Sequence, residues 1–205
     1  MQSRSGILAR QRLNDIIKEL FRQSIHICTA FVPLFLSFAK CPVIILLSIV
    51  LVVYIITENL RIRGKTVPLI SIITEAAARK RDENRFVLGP VTLASGVILT
   101  AIIFNQKSAA LGIYALALGD GLASLGGKLF GKHKIPFTGG KTFEGSFTCF
   151  AAIFISILIA SKSVTLALAL AAAGTVVELL PLKDFDNLLI PLLIASLAQF
   201  VFCIQ

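Results

Sequence analysis

Gly119-Asp-Gly-Leu-Ala-Ser-Leu-Gly-Gly-Lys-Leu-Phe-Gly-Lys-His-Lys-Ile-Pro-Phe-Thr-Gly-Gly-Lys-Thr-Phe-Glu-Gly-Ser146 is a polar interval in an apolar chain. It leaves one apolar run carrying an acid, Asp120. It then becomes a loop of glycines and cations, and it enters the next apolar run through Lys141, Thr142 and Glu144. Glycines let backbone N–H groups approach oxygens, lysines neutralise negative charge, and a carboxylate can hold a cation. A phosphate-rich ligand at a membrane surface calls for that mixture.

The rest of the chain sets this interval in a membrane. Of 205 residues, 56% are hydrophobic and only 15% are charged. Apolar runs approach the roughly 20 residues needed to cross a bilayer core. They fall at about Ser24–Ala39, Pro42–Thr57, Phe86–Phe104, Ser108–Leu125, Gly145–Ala160, Ser163–Leu180 and Leu188–Ile204. The expected fold is all-α: a polytopic helical bundle of about seven spans. Residues 1–22 are basic and amphipathic, with Leu13, Ile16, Ile17, Leu20 and Phe21 at helical spacing, which suits a helix lying in the interface. Residues 23–205 then form one transmembrane domain with a loop at 126–144. A short apolar patch at Val67–Ile73 is a further candidate for the interface. No removable signal peptide is read at the N-terminus.

A net charge of +9 would suggest nucleic acid in a soluble protein, but here the cations lie between apolar runs. With the N-terminus inside, all of the 20 cations except Lys40, Lys107 and Lys162 fall on the inner side, as the positive-inside rule requires. All 11 acids fall on or near that side too, which the rule does not require. Glu58, Asp120, Glu178 and Asp186 are read at the inner ends of four helices, a convergence that points to an active site on the cytoplasmic face. Cys28, Cys41, Cys149 and Cys203 have no paired spacing, so buried free thiols are expected.

Two motif resemblances fail. Gly139-Gly-Lys-Thr142 looks like the end of a Walker A loop, but Ile135 stands where its first glycine belongs and no strand precedes it. Gly119-Asp-Gly121 lacks the strand–turn–helix setting of a dinucleotide fingerprint. What the interval offers is Asp120, with Ser124 one turn on and on the same helix face, and a loop carrying Lys132, Lys134, Gly139, Gly140 and Lys141. Thr142 is a candidate N-cap, and Glu144 suits the first turn of the helix.

Gly119-Asp120, Ala123-Ser124, Gly127, Phe130-Gly131-Lys132, Lys141-Thr142 and Glu144-Gly145-Ser146 together resemble the CTP-dependent lipid kinases: dolichol kinase, phytol kinase and the CTP-using diacylglycerol kinase. Arg22 and His26, Glu58, and Glu178 with Asp186-Asn187 and Pro191 resemble less specific positions of that family. The resemblance implies transfer of the γ-phosphate of CTP to the hydroxyl of a membrane lipid such as a prenol, polyprenol or diacylglycerol. It implies Mg²⁺ at Asp120 with Glu144 or Asp186, and Asp120 or Asp186 orienting or deprotonating the hydroxyl. It also implies that Lys132, Lys134 and Lys141, the Gly139 and Gly140 amides, Thr142 and Ser124 bind nucleotide. Arg22, His26, Glu58, Glu178 and Asn187 are candidates for contact with phosphate or the lipid head; for His26, helix packing is an equal reading. The implied setting is a multi-pass membrane, the plasma membrane in a bacterium, with no nucleic-acid partner and homo-oligomerisation open. The central motif is also similar to phosphatidate cytidylyltransferase, but Lys183-Asp184 is not followed by that enzyme's Pro-Gly-His-Gly-Gly run. A non-enzymatic transporter would place its polar residues at mid-membrane rather than at one face.

Overall fold

The computed structural model describes residues 4–65 and 85–204, so the Val67–Ile73 patch, the cations Arg79, Lys80 and Arg81, and residues 1–3 lie outside the described residues. The described chain is helical: α1 (Arg4–Cys28), a 3-10 turn (Thr29–Phe31), α2 (Val32–Phe38), α3 (Lys40–Ile62), α4 (Gly89–Ile103), α5 (Gln106–Tyr114), a π-helical turn (Ala115–Asp120), α6 (Gly121–Phe130), α7 (Phe143–Ser161), α8 (Val164–Leu179) and α9 (Asp186–Ile204). Among the described residues five segments are long and apolar enough to cross a membrane: Ile16–Phe38, Lys40–Ile62, Gln106–Phe130, Phe143–Ser161 and Asp186–Cys203. The shorter apolar helices α4 and α8 lie where the two remaining apolar runs of the expected seven were read. Among the described residues there is no strand, only an isolated antiparallel bridge between Lys134 and Thr142.

The helix ends follow from local chemistry. Asn105, Thr142 and Ser163 cap α5, α7 and α8, each accepting a hydrogen bond from the backbone N–H three residues on. Lys162 ends α7 in the left-handed conformation at φ 59°. Pro191 lies inside α9 and has no N–H to give to the carbonyl of Asn187. A Cβ placed on Gly96 of α4 would sit 2.3 Å from that same carbonyl oxygen. Glycine is therefore what lets α4 close onto the start of α9. Gly96→Ala is expected to cost about 1–3 kcal/mol through overpacking. A melting temperature in detergent equal to that of the parent would contradict this.

The centre of the bundle is filled by Ile113, Leu116, Ile153, Ile157, Leu170, Ile190 and Ile194, all fully buried. The closest helix packing joins α7 to α8, α6 to α7, α9 to α5 and α9 to α4. Around this core α3 exposes Ile45, Leu46, Ile49, Val50, Val52, Val53 and Ile56, an outer surface suited to lipid.

Three expectations change here. First, α1 does not stop at Arg22 but runs on into the first span. Its apolar residues Leu13, Ile17, Leu20 and Phe21 are exposed, while Glu19, Gln23 and His26 are buried against the bundle. The helix is amphipathic as read, but the polar stripe is the one that packs inward. Second, Asp120 is not at a helix end. It closes the π-turn within one continuous helical segment that runs from Gln106 to Phe130. Third, only Cys149 is a buried thiol; Cys28, Cys41 and Cys203 are free and exposed.

Candidate functional site

The π-turn is the local feature that builds the site. An extra residue in a helical turn rotates the side chains after it and leaves the regular hydrogen-bond ladder, and such bulges recur at functional positions. Here the turn sets Asp120 opposite α1, where its Oδ2 lies 3.5 Å from His26 Nδ1. Both side chains are largely buried, at 13% and 6% exposed. Gly121 packs beside them: a Cβ there would meet Ile27 and His26 at ordinary contact distances of 3.4 and 3.5 Å. Arg22, one turn before His26, forms an ion pair with Glu19, and Glu19 also binds Lys128 of α6 and accepts a 2.5 Å hydrogen bond from Gln23. This polar seam fixes α1 to α6.

Asp120, His26 and Arg22 open into one cleft with an empty volume of about 510 Å³, including the part open to solvent. Asp184 and Asn187 form its opposite polar wall, and Ile25, Val87, Pro90 and Leu93 complete it with apolar surface. Two acids, a guanidinium, an imidazole and an amide beside aliphatic walls fit a ligand with a polar head and a greasy body. Asp184 and Thr92, which holds Asn187 by a 3.2 Å bond from Nδ2, were not legible as site residues. The signal for Asp184 was its place among the one-sided acids, two residues before Asp186.

Beside the cleft, Lys141 Nζ lies 3.0 Å from Glu178 Oε1 and 4.0 Å from Asp186 Oδ2. Ser146 donates to Glu178 at 3.3 Å, and the Asn187 backbone N–H donates to Asp186 Oδ1 at 3.0 Å. The ends of α8 and α9 and the start of α7 are thus tied by one lysine between two buried carboxylates. Lys141 is committed to these acids, and Asp186 and Glu178 to Lys141, because the three helix ends bring them together in a nearly dry junction.

The loop after α6 folds back on itself. Ile135 N–H donates to the Lys141 carbonyl at 2.8 Å, and Phe143 N–H donates to the His133 carbonyl at 3.0 Å. Thr142 packs against Gly127 and Gly131 and caps α7. Gly139 and Gly140 have positive φ, 74° and 100°, and are exposed with Lys132 and Lys134. Ser124 is half-buried on α6 and does not line the cleft.

Two candidate residues have structural posts. Glu144 is outside the cleft: it pairs with His133 Nδ1 at 2.8 Å and accepts from the His133 N–H, which pins the loop to the first turn of α7. Glu58 is 1% exposed and accepts from Arg61 at 2.7 and 2.8 Å and from the Val87 N–H at 2.9 Å. It joins the end of α3 to the segment entering α4, so it is satisfied by protein and is not part of the cleft.

The metal set read from sequence is not assembled. Asp120 faces His26, Glu144 faces His133 and Asp186 faces Lys141. Among the described residues no group of three or more His, Cys, Asp or Glu side chains is placed to share a metal ion. Asp120 and Asp184 do line one cleft. One or two carboxylates suit a Mg²⁺ that arrives on a triphosphate, because that ion keeps water and phosphate oxygens as its other ligands.

With this geometry in view, sequence comparison finds relatives among plant proteins. The chain is 28% identical over 153 residues to phytol kinase 1, chloroplastic, of Arabidopsis thaliana, an alignment covering 65% of this chain and 50% of that protein. It is 27% identical over 149 residues to probable phytol kinase 1, chloroplastic, of Oryza sativa subsp. japonica, covering 63% and 47%. It is 32% identical over 84 residues to probable phytol kinase 3, chloroplastic, of Glycine max, covering 40% and 26%. The chain spans about half the length of the curated relatives it matches. No family model matches, and no solved structure matches.

Proposed function

We propose that this chain, a distant relative of the phytol kinases, is a membrane-embedded lipid kinase that transfers the terminal phosphate of a nucleoside triphosphate, CTP by its family resemblance, to the hydroxyl of a prenol-like lipid. The observation that carries the reading is the cleft in which Asp120, His26 and Arg22 face Asp184 and Asn187 beside an aliphatic wall.

In this reading the lipid body lies along Ile25, Val87, Pro90 and Leu93, and its hydroxyl enters the polar end of the cleft. The exposed Lys132 and Lys134 and the glycine turn at Gly139-Gly140 attract the triphosphate, while Arg22 neutralises charge on the phosphate being transferred. The alcohol oxygen forms the new bond to phosphorus as the bond to the bridging oxygen of the nucleoside diphosphate breaks. The alcohol proton passes to Asp120, whose carboxylate the His26 imidazole orients. Phosphoryl transfer depends mainly on alignment and charge neutralisation, which is what fixed groups of this kind provide. A Mg²⁺ arriving on the triphosphate would supply further neutralisation and would be held by Asp184, which lines the same cleft, leaving Asp120 to take the proton. The one-sided cations and acids support a cytoplasmic catalytic face.

Purified protein supplied with phytol and CTP labelled at the γ-phosphate is expected to yield labelled lipid phosphate, and CTP labelled at the α-phosphate is expected to leave the lipid unlabelled. Label entering the lipid from the α-position would replace the kinase reading with cytidylyl transfer. Absence of transfer from CTP or ATP to phytol, a polyprenol and diacylglycerol alike would remove it.

A further inference from the structure

Asn187 carries one buried polar atom whose partner is missing. Its side chain is part of a residue only 4% exposed, and it lines the cleft. Its Nδ2 donates to Thr92 Oγ1 at 3.2 Å. Its Oδ1 is buried and has no hydrogen-bond partner among the described residues. A buried amide oxygen left without a donor costs on the order of 1–3 kcal/mol, so protein interiors rarely leave one unsatisfied.

The neighbouring bonds fix which way the amide points. Thr92 Oγ1 has a single proton, and it lies 3.0 Å from the Gly89 carbonyl and 3.3 Å from the Leu88 carbonyl. Those carbonyls can only accept, so the Thr92 proton goes to them and its oxygen must accept from Asn187. The amide NH₂ therefore faces Thr92, and the carbonyl oxygen is the buried group of this cleft-lining residue left without a donor. The backbone holds this arrangement rigidly: Gly96, one turn after Thr92, abuts the Asn187 main-chain carbonyl, and the Asn187 N–H is held by Asp186.

A lone acceptor selects a donor. The apolar lining beside it suits an aliphatic chain, and an alcohol is the group that ends such a chain in an O–H donor. We infer that Asn187 Oδ1 accepts the hydrogen bond of the substrate's hydroxyl, with Thr92 as the residue that positions the amide. This rests on the lipid-alcohol reading of the cleft and adds to it the atom that recognises the hydroxyl. A neutral acceptor suits the task. In a loose transfer the hydroxyl keeps its proton until late, and an acceptor that orients it without ionising it aims the oxygen lone pair at phosphorus. As the bond to phosphorus forms, the O–H turns about its C–O bond from Asn187 to Asp120, which takes the proton.

The test compares phytol with the hydrocarbon of the same skeleton that lacks the hydroxyl. Binding is read as thermal stabilisation of the full-length protein in detergent, without nucleotide. The parent protein is expected to prefer the alcohol by about fivefold in apparent affinity, the worth of one hydrogen bond. Asn187→Leu is expected to bind both equally. Thr92→Val is expected to weaken the preference and raise KM for phytol with little change in KM for CTP, and Thr92→Ser to restore both. Two results would overturn the inference: a parent protein that does not distinguish alcohol from hydrocarbon, or an Asn187→Leu variant that still does. A protein that discriminates the alcohol yet transfers no phosphate would leave the hydroxyl site standing and remove the kinase reading. Transfer that persists alongside undiminished discrimination in Asn187→Leu would do the reverse.

Discussion

Asp120→Asn is expected to lower phosphoryl transfer by about 10²–10⁴-fold, the usual contribution of a positioned proton acceptor. The substitution keeps the shape of the side chain and removes its charge. Asp120 sits in the π-turn, opposite His26 and largely buried, so the amide should occupy the same place without disturbing the packing of Gly119 against Ile153 or of Gly121 against α1. The loss should therefore fall on kcat, with an unchanged elution profile and little change in melting temperature. The measurement is initial rate against CTP and against alcohol, with labelled γ-phosphate. A variant that retains transfer would deny Asp120 its role as base. A variant that fails to fold would show instead that the carboxylate is needed for its contact with His26, and Asp120→Glu would then be the informative comparison.

Lys141→Met should produce a marked loss of stability. It would take from Glu178 its cation and from Asp186 one of its partners, in side chains 8% and 10% exposed. Breaking a buried ion pair from one side costs about 3–5 kcal/mol, and the 23% exposure of the lysine argues for the lower end. The double variant Lys141→Met with Glu178→Gln removes the carboxylate that lost its cation and is expected to recover part of the lost melting temperature. Recovery of transfer as well would show that Lys141 serves only to join the helices. Continued loss of transfer with stability restored would indicate that it also meets phosphate. Single and double variants have to be read together, since groups in one network do not contribute additively.

These two residues show how much of the site was visible along the chain. Asp120 stood out because an acid in a long apolar run is costly and rare, and that argument needs no structure. The helical class and the five long apolar segments were legible for the same reason: runs of apolar residues interrupted by short polar segments have one stable solution in a bilayer. Thr142 was legible as a cap because capping involves only a backbone N–H three residues on. Lys141 was legible as important, but it was read as a phosphate ligand. Its acids lie more than thirty residues away, and only the meeting of α7, α8 and α9 makes it their counter-ion.

The sequence by itself determined the helical architecture and the capped loop between α6 and α7, since each depends on composition or on neighbours a few residues apart. Tertiary structure decided which polar groups meet. It turned the polar stripe of α1 inward against α6, placed Asp120 in a π-turn in mid-helix, and paired Glu144 and Glu58 with protein donors. It also brought Asp184 and Asn187 across to the cleft. The physical reason is range. Hydropathy and capping act over a turn or a span of helix, whereas a buried carboxylate or amide finds its partner only where helices distant in the chain pack close enough to exclude water.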